Sequence, residues 1–409
     1  MTFFLELKSL IRSKTLLLMI LAVTLWMIAV PFFIRTDGTE EGARYVVSYY
    51  SLAGAIAIVA ISVAAAAAAS LSSERAAKRL QLTLIKPVSY LSIALGKILA
   101  ITLIASIPLG LAVSISAFRN ADKNCRHVYS PVMESPRQEA ERMYKAYMAD
   151  PSVSEQIKKA RKSSVIAILT QKAYDHYMAV PEKGGAAWKF NVPKEHALKN
   201  ASVRIRFSDA FSLRRDVQGR LEFGGRTAFV TNITQAVVEM PLVGKASQGE
   251  ELKFINDGES QLMLRPRRDI ELLFEADSSV LNHVRAWVVL VAMMALVASF
   301  GVFLGAGLSR PVAVWTILVS LFLSLASPAV VEQYPHALEI GLGDAIGLAL
   351  SRAVGAITNP LTQFSPVNAL ANGECIEYLH MSMALAIDAV LLPFILAVFA
   401  SLLMKRVKT

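Results

Sequence analysis

The chain is short of charge and of cysteine, and each shortage excludes something. Only 18% of its 409 residues are Asp, Glu, Lys or Arg, and the mean hydropathy is +0.47. A soluble chain carries about a quarter charged residues. A disordered protein, a coiled coil and a purely soluble enzyme are therefore excluded. Two cysteines, Cys125 and Cys375, cannot build a disulfide framework or a four-cysteine metal site, and the sequence leaves open whether they pair. There is no GxxxxGKS/T run to cradle ATP phosphates, and no HExxH or GxSxG. Cys125-x-His127 has a spacing that suits copper or zinc, but a structural zinc site needs four convergent ligands and the sequence does not cluster them. No catalytic residues and no metal ligands are assigned, and the chain is not expected to be an enzyme.

What the sequence does have is long apolar runs at its two ends. Uncharged stretches at 15–34, 45–73, 98–118, 286–309, 311–331 and, interrupted by Asp388, 379–404 each reach the length of about 20 residues that crosses a hydrocarbon core. The first is long for a cleavable signal and lacks a small-x-small cleavage site, so it reads as a retained span. Short loops of one set carry Lys8, Arg12, Lys14, Arg75, Lys78, Arg79, Lys86, Lys97, Arg310, Lys405, Arg406 and Lys408. The opposite set carries only Arg35, Arg44 and Arg352. Positive charge stays inside, so both termini are expected in the cytoplasm and residues 119–285 outside. That middle segment holds 27 Lys and Arg against 21 Asp and Glu, so most of the net charge of +10 is expected outside. Nucleic acid is then not a partner. The basic inner loops suit anionic lipid or a partner protein, and residues 1–14 suit an amphipathic helix on the inner membrane surface.

Residues 71–97 read LSSERAAKRLQLTLIKPVSYLSIALGK. A charged amphipathic stretch breaks at Pro87, which removes a backbone donor and biases Lys86 away from helix. Ser89 can cap the helix that follows. The pattern Glu74-Arg75, Leu84-Ile85-Lys86-Pro87-Val88-Ser89 and Leu95-Gly96-Lys97 resembles the signature of type-2 ABC exporter permeases, at its usual place between spans two and three. The six-span order, the amphipathic N-terminus and Asn372-Gly373-Glu374-Cys375-Ile376 before the last span resemble the same family. One departure is Tyr90, where that family usually has a basic residue. The resemblance implies a coupling helix in this loop, seated in a groove of a separate cytoplasmic ABC ATPase. Glu74, Arg75, Lys78, Arg79, Lys86 and Pro87 are the implied contact residues. ATP and Mg would be bound by that ATPase and no cofactor by this chain. A second permease protomer is implied, with a homodimer expected, in the inner (cytoplasmic) membrane.

The middle segment has two textures. Residues 136–180 are helix-like, with helices expected at 138–148 and 154–178, separated by Asp150-Pro151. Residues 188–277 read as short strands at 202–207, 227–231, 236–240, 251–255, 261–264 and 270–274, with turn signals at Gln218-Gly219, Gly224-Gly225 and Asp257-Gly258. An antiparallel sandwich follows. The expected architecture is a six-span α-helical bundle carrying an inserted extracytoplasmic α+β domain, a helical pair plus an antiparallel β-sandwich. Residues 1–118 would hold the surface helix and spans one to three, 119–285 the inserted domain, and 286–409 spans four to six with re-entrant or amphipathic helices at 338–373. Asp388 is the intramembrane polar candidate, with His380 eight residues earlier on roughly the same helix face. An alternative function is a non-transporting membrane anchor whose β-domain binds an outside partner protein or ligand. The alanines 64–69 with Gly301, Gly305 and Gly307 are expected to permit close helix approach, within one protomer or between two.

Overall fold

The computed structural model describes residues 2–34, 40–77, 89–120, 124–133, 136–149, 162–174, 178–193, 196, 199–209, 216–233, 237–244, 251–276, 278–333, 346–347, 349 and 363–406. The chain divides into two compact units, a helical bundle and a second unit centred on Asn124–Asp277.

The bundle begins with α1 (Thr2–Arg12), ended by Lys14 at φ 58, and α2 (Thr15–Phe33) follows at once. Next come α3 (Glu40–Ala76) and α4 (Tyr90–Arg119). The Ser89 hydroxyl accepts the Ser92 amide at 3.1 Å, the cap expected from the sequence. Among the described residues, five helices are long and apolar enough to cross a membrane: α2, α3 from Gly42 on, α4, and the later helices Ser279–Gly307 and Tyr378–Arg406. The run at 311–331 lies on helix Arg310–Gln333, of which Arg310–Phe322 is the apolar part described. The chain is thus a multi-pass membrane protein with a separate β domain.

Burial orders the spans. Helix Ser279–Gly307 has 72% of its most apolar window buried, against 22% for α2 and 33% for Tyr378–Arg406, so it forms the middle of the bundle. Ala64, Ala67 and Ala68 of α3 pack with Val297, Ala298 and Val302 in the main apolar core. A Cβ added to Gly301 would sit 2.5 Å from Ala67 Cβ, and one added to Gly305 would sit 2.5 Å from the Ala68 carbonyl oxygen. The small residues of these two helices are therefore used inside one protomer. Large apolar side chains such as Leu17, Leu21, Phe32, Phe322 and Phe399 remain exposed, as a lipid-facing surface requires.

Among its described residues the second unit contains three antiparallel sheets. In chain order the strands are β1 (Arg126–Tyr129), β2 (Met178–Val180), β3 (Gly185–Lys189), β4 (Ala201–Arg206), β5 (Ser208–Asp209), β6 (Asp216–Phe223), β7 (Arg226–Ile233), β8 (Val237–Pro241), β9 (Val243–Gly244), β10 (Glu251–Asn256), β11 (Leu262–Leu264) and β12 (Ile270–Glu275). Their orders are β1-β12-β4-β8, β3-β10-β6-β7-β9 and β2-β11-β5. The two larger sheets share one core. Val203, Ile205, Leu272 and Phe274 of one are buried with Leu221, Phe223, Leu252 and Phe254 of the other, and the Phe223 and Phe274 rings lie 6.2 Å apart across it. Alternate residues face inward along β6 and β10, the period-two pattern of a half-buried strand.

Gly224-Gly225 make the expected two-residue hairpin between β6 and β7, with φ of 55° and 75°. The turn expected at Gln218-Gly219 is not one. Both residues lie inside β6, paired with Thr231 and Val230. A Cβ at Gly219 would meet the Ile255 carbonyl oxygen at 2.4 Å, so this glycine permits close strand approach. The expected helical pair is present as Pro136–Ala149 and Lys162–Tyr174, packed through Ala140, Val165 and Leu169. Its C-terminal limit is corrected. Met178–Val180 is β2, paired to β11 with Val180 fully buried, because the sheet edge offers the backbone partners a helix end would lack. Asp150-Pro151 and most of 338–362 lie outside the described residues. Of the expected outer helices, the short helix Val367–Asn372 is described.

Candidate functional site

One end of the bundle carries a charged junction. Lys97 stands two turns after the Ser89 cap, on a face of α4 that is inside the bundle, and the residue is 3% exposed. Its ammonium donates to Glu6 Oε2 at 2.7 Å, Glu74 Oε1 at 2.8 Å and the Ser70 carbonyl at 3.3 Å. All three N–H donors are thereby used. Glu6 comes from α1, Glu74 from the last turn of α3, and both are partly buried.

Local sequence explains the arrangement. In α1, Phe4, Leu5 and Ile11 are exposed while Glu6 and Leu10 are partly buried against the bundle. An apolar face turned outward with an acid turned inward would be costly in water, but it suits a helix lying on lipid. Arg75, next to Glu74, reaches helix Ser279–Gly307. Its Nη1 donates to the Ala306 carbonyl at 2.7 Å and its Nη2 to the Leu308 carbonyl at 2.8 Å. The last carbonyls of a helix have no partner of their own, and the fork supplies one to each. Two acids and two bases thus tie α1, α3, α4 and Ser279–Gly307 together at the start of the loop 77–89.

The sequence marked Glu74 and Arg75 as exposed loop residues facing an ATPase. Both are bonded within the bundle and both keep part of their surface exposed. Lys78, Arg79, Lys86 and Pro87 lie outside the described residues. Lys97, counted with the loop lysines, is inside α4. The sequence reading missed Glu6 and Lys97 as a pair. A lone acid in an apolar-basic N-terminus and a lysine at the start of an otherwise uncharged span were the available signals.

The opposite end of Ser279–Gly307 holds a second polar cluster. The buried Asn282 side chain donates to the Glu374 carbonyl at 2.8 Å and accepts the Ile376 amide at 2.8 Å. Arg285 donates to the Ile376 carbonyl at 3.2 Å and the Tyr378 hydroxyl at 2.6 Å, with its guanidinium 3.9 Å from the Tyr378 ring centre. This cluster pins the chain where it enters the last span. Asp388 sits further along that span, fully buried, in the π-helical segment Leu385–Leu391. Among the described residues neither of its carboxylate oxygens has a hydrogen-bond partner. His380 lies at 3.4 Å from the Phe364 carbonyl, so the structure does not place it in a relay with Asp388.

In the β domain, His127 stacks on His196 at 4.4 Å and 10° between planes, and the Tyr129 hydroxyl shares a 2.5 Å hydrogen bond with His196 Nδ1. Parallel stacked rings cannot aim their in-plane lone pairs at one ion. No group of three or more metal-ligating residues occurs among the described residues. Neither Cys125 nor Cys375 is a free thiol.

No family model, curated protein or solved structure matches the chain.

Proposed function

We propose that the chain is the transmembrane permease subunit of an ABC transporter, coupling ATP hydrolysis by a separate cytoplasmic ATPase to export or extracytoplasmic handling of a substrate. In this reading Arg310–Gln333 is the remaining one of six spans. The protein lies in the inner membrane with both termini and the loop 77–89 in the cytoplasm, and it works with a second permease protomer. The β domain is then outside, where it receives or hands over substrate.

The observation that carries the reading is the junction at Lys97. A permease without its own ATPase must convert a push on one loop into movement of its spans. Here the loop's two flanks, α3 and α4, are joined by an ion pair between the buried Lys97 and the partly buried Glu74, and Arg75 extends that connection to the central helix. Force applied to residues 77–89 would reach three spans and the surface helix at once. A connector that only solvated a turn would not need a buried lysine, because removing charge from water is costly unless it is paired.

The test uses the loop residues themselves. Arg79→Glu together with Lys86→Glu is expected to lower copurification of the ATPase and its turnover in the complex. Unchanged complex yield and turnover would overturn the reading. Arg75 is unsuitable for this test, because its loss would also uncap Ser279–Gly307.

The anchor reading is favoured by one observation. Phe229 is 75% exposed and Val243 70% exposed on the outward face of the β7–β9 edge. Single exposed apolar residues are ordinary, but two on neighbouring strands at a sheet edge, Val243 opposite Thr227 and Phe229 two residues further along, suit a protein partner. A membrane complex that retains an outside partner but no ATPase would favour it.

A further inference from the structure

Asp388 is fully buried within a membrane-spanning helix, and neither carboxylate oxygen has a partner among the described residues. Such a group would be unstable as an ion, since a charge removed from water without a counter-charge neutralises itself instead. The described cations on the elements packed against this span are engaged elsewhere. On Ser279–Gly307, the only titratable residues are His283 and Arg285. His283 Nδ1 lies 2.7 Å from the Ser279 carbonyl, and Arg285 is committed to Ile376 and Tyr378. Tyr378 is ten residues from Asp388, about 15 Å along a helix axis. On α4, Lys97 is held by Glu6 and Glu74, and Arg119 donates to Ser51 and the Met27 carbonyl. On its own helix, His380 faces Phe364, and Lys405 and Arg406 lie at the far end.

The backbone at Asp388 is also unusual. Leu385–Leu391 is π-helical, with Asp388 at its centre. A π segment holds an extra residue relative to the α-helix around it and is frequent at functional sites. Its return to α-helical winding would turn the flanking side chains by about 100°, the angle per residue of an α-helix. Such a rotation would carry a buried acid on the segment out of its present dry environment.

We propose that Asp388 is a proton-binding site: a carboxylic acid kept neutral in this arrangement of the spans, which releases its proton only when the Leu385–Leu391 segment rewinds and brings it to water. The ligand is the proton. A metal cation is disfavoured because it would need several further oxygen ligands beside one carboxyl. The site is independent of the ATPase and of the transport reading, so it can fail or stand without them.

The test is made on the full-length protein in lipid vesicles at neutral pH. Infrared spectra are expected to show a protonated-carboxyl stretch that is lost in Asp388→Asn and shifted in Asp388→Glu. Dicyclohexylcarbodiimide, which partitions into lipid and reacts with protonated carboxyls, is expected to modify the peptide containing Asp388, while a water-soluble carbodiimide leaves it unmodified. Loss of a carboxylate stretch in Asp388→Asn, with the protonated-carboxyl region unchanged, would show an ionised carboxylate and overturn the proposal. Equal modification by both reagents would show that water reaches the group in the resting state and would overturn it as well. Should Asp388→Asn fail to assemble, the Asp388→Glu shift and the peptide map of the wild type still decide.

Discussion

Arg75 and Leu308 are held together by a 2.8 Å hydrogen bond from the Arg75 guanidinium to the Leu308 carbonyl, while the other arm of the same fork takes Ala306. One side chain from the end of α3 thereby finishes the helix that forms the middle of the bundle. Lysine cannot reproduce the fork, because its point charge satisfies one direction at a time. Arg75→Lys is expected to lower stability by roughly 1 kcal/mol, the scale of one hydrogen bond to a charged group at a partly exposed site. Thermal unfolding in detergent checks it, and a melting temperature equal to wild type would remove the capping role.

Lys97 supplies a sharper case. Lys97→Met leaves Glu6 and Glu74 facing each other without a cation. Breaking a buried pair by removing one partner costs about 3–5 kcal/mol, and the partial exposure of Glu6 and Glu74 places the expectation near the lower value. Adding Glu6→Gln and Glu74→Gln to Lys97→Met removes the stranded charges and is expected to recover most of the loss. A triple variant no more stable than the single one would mean that the ammonium acts through something other than these two acids.

Five of the six expected spans and half of the described strands were legible, because both follow from length and periodicity. Uncharged length defines α2, α3 and α4, and alternation placed β4, β7, β10 and β12 to within a residue or two. The junction was not legible, because pairing between Glu6 and Lys97 depends on how helices 91 residues apart in sequence pack. A basic residue near a loop reads as solvated unless the helix face is known. Gly219 misled for a related reason: glycine signals either a turn or a close approach, and only the neighbouring strand distinguishes them. The π segment at Asp388 left no mark beyond the acid itself.

Gly305 and Gly307 offer a paired comparison on one helix. A methyl at Gly305 would lie 2.5 Å from the backbone oxygen of Ala68, which cannot move without separating the helices. At Gly307 the nearest atom is Leu403 Cδ1 at 3.4 Å, the end of a flexible side chain. Gly305→Ala is expected to destabilise by about 1–3 kcal/mol, the range for overpacking. Gly307→Ala should stay within about 0.5 kcal/mol of wild type. Detergent melts of the two variants, measured side by side, make the comparison; equal effects would contradict the observed helix contact.

The β domain carries its own core, so the segment Asn124–Asp277 is expected to fold when produced alone. Phe254 is fully buried between the two larger sheets, with its ring 4.7 Å from that of Phe207. Phe254→Ala should cost about 3–5 kcal/mol, which would unfold a domain of marginal stability. Circular dichroism would show a cooperative melt with strong β signal for the wild-type segment and its loss in the variant. A non-cooperative melt of the wild-type segment would contradict an independent core.

The orientation of the bundle is testable from the same domain. In the proposed orientation, which rests on the twelve-to-three division of Lys and Arg among the short loops, residues 119–285 lie outside the membrane. Glu182 is exposed in the turn before β3, so Glu182→Cys presents a thiol without disturbing the sheets. Cys125 and Cys375 are not free thiols, so they add no background of their own. A membrane-impermeant maleimide should label Glu182→Cys in intact spheroplasts, while a cysteine placed at Arg79 should be labelled only after the membrane is broken. The reverse pattern would put the β domain in the cytoplasm and the loop 77–89 outside. A cytoplasmic ATPase could not then reach that loop, and the transport proposal would fail with the orientation.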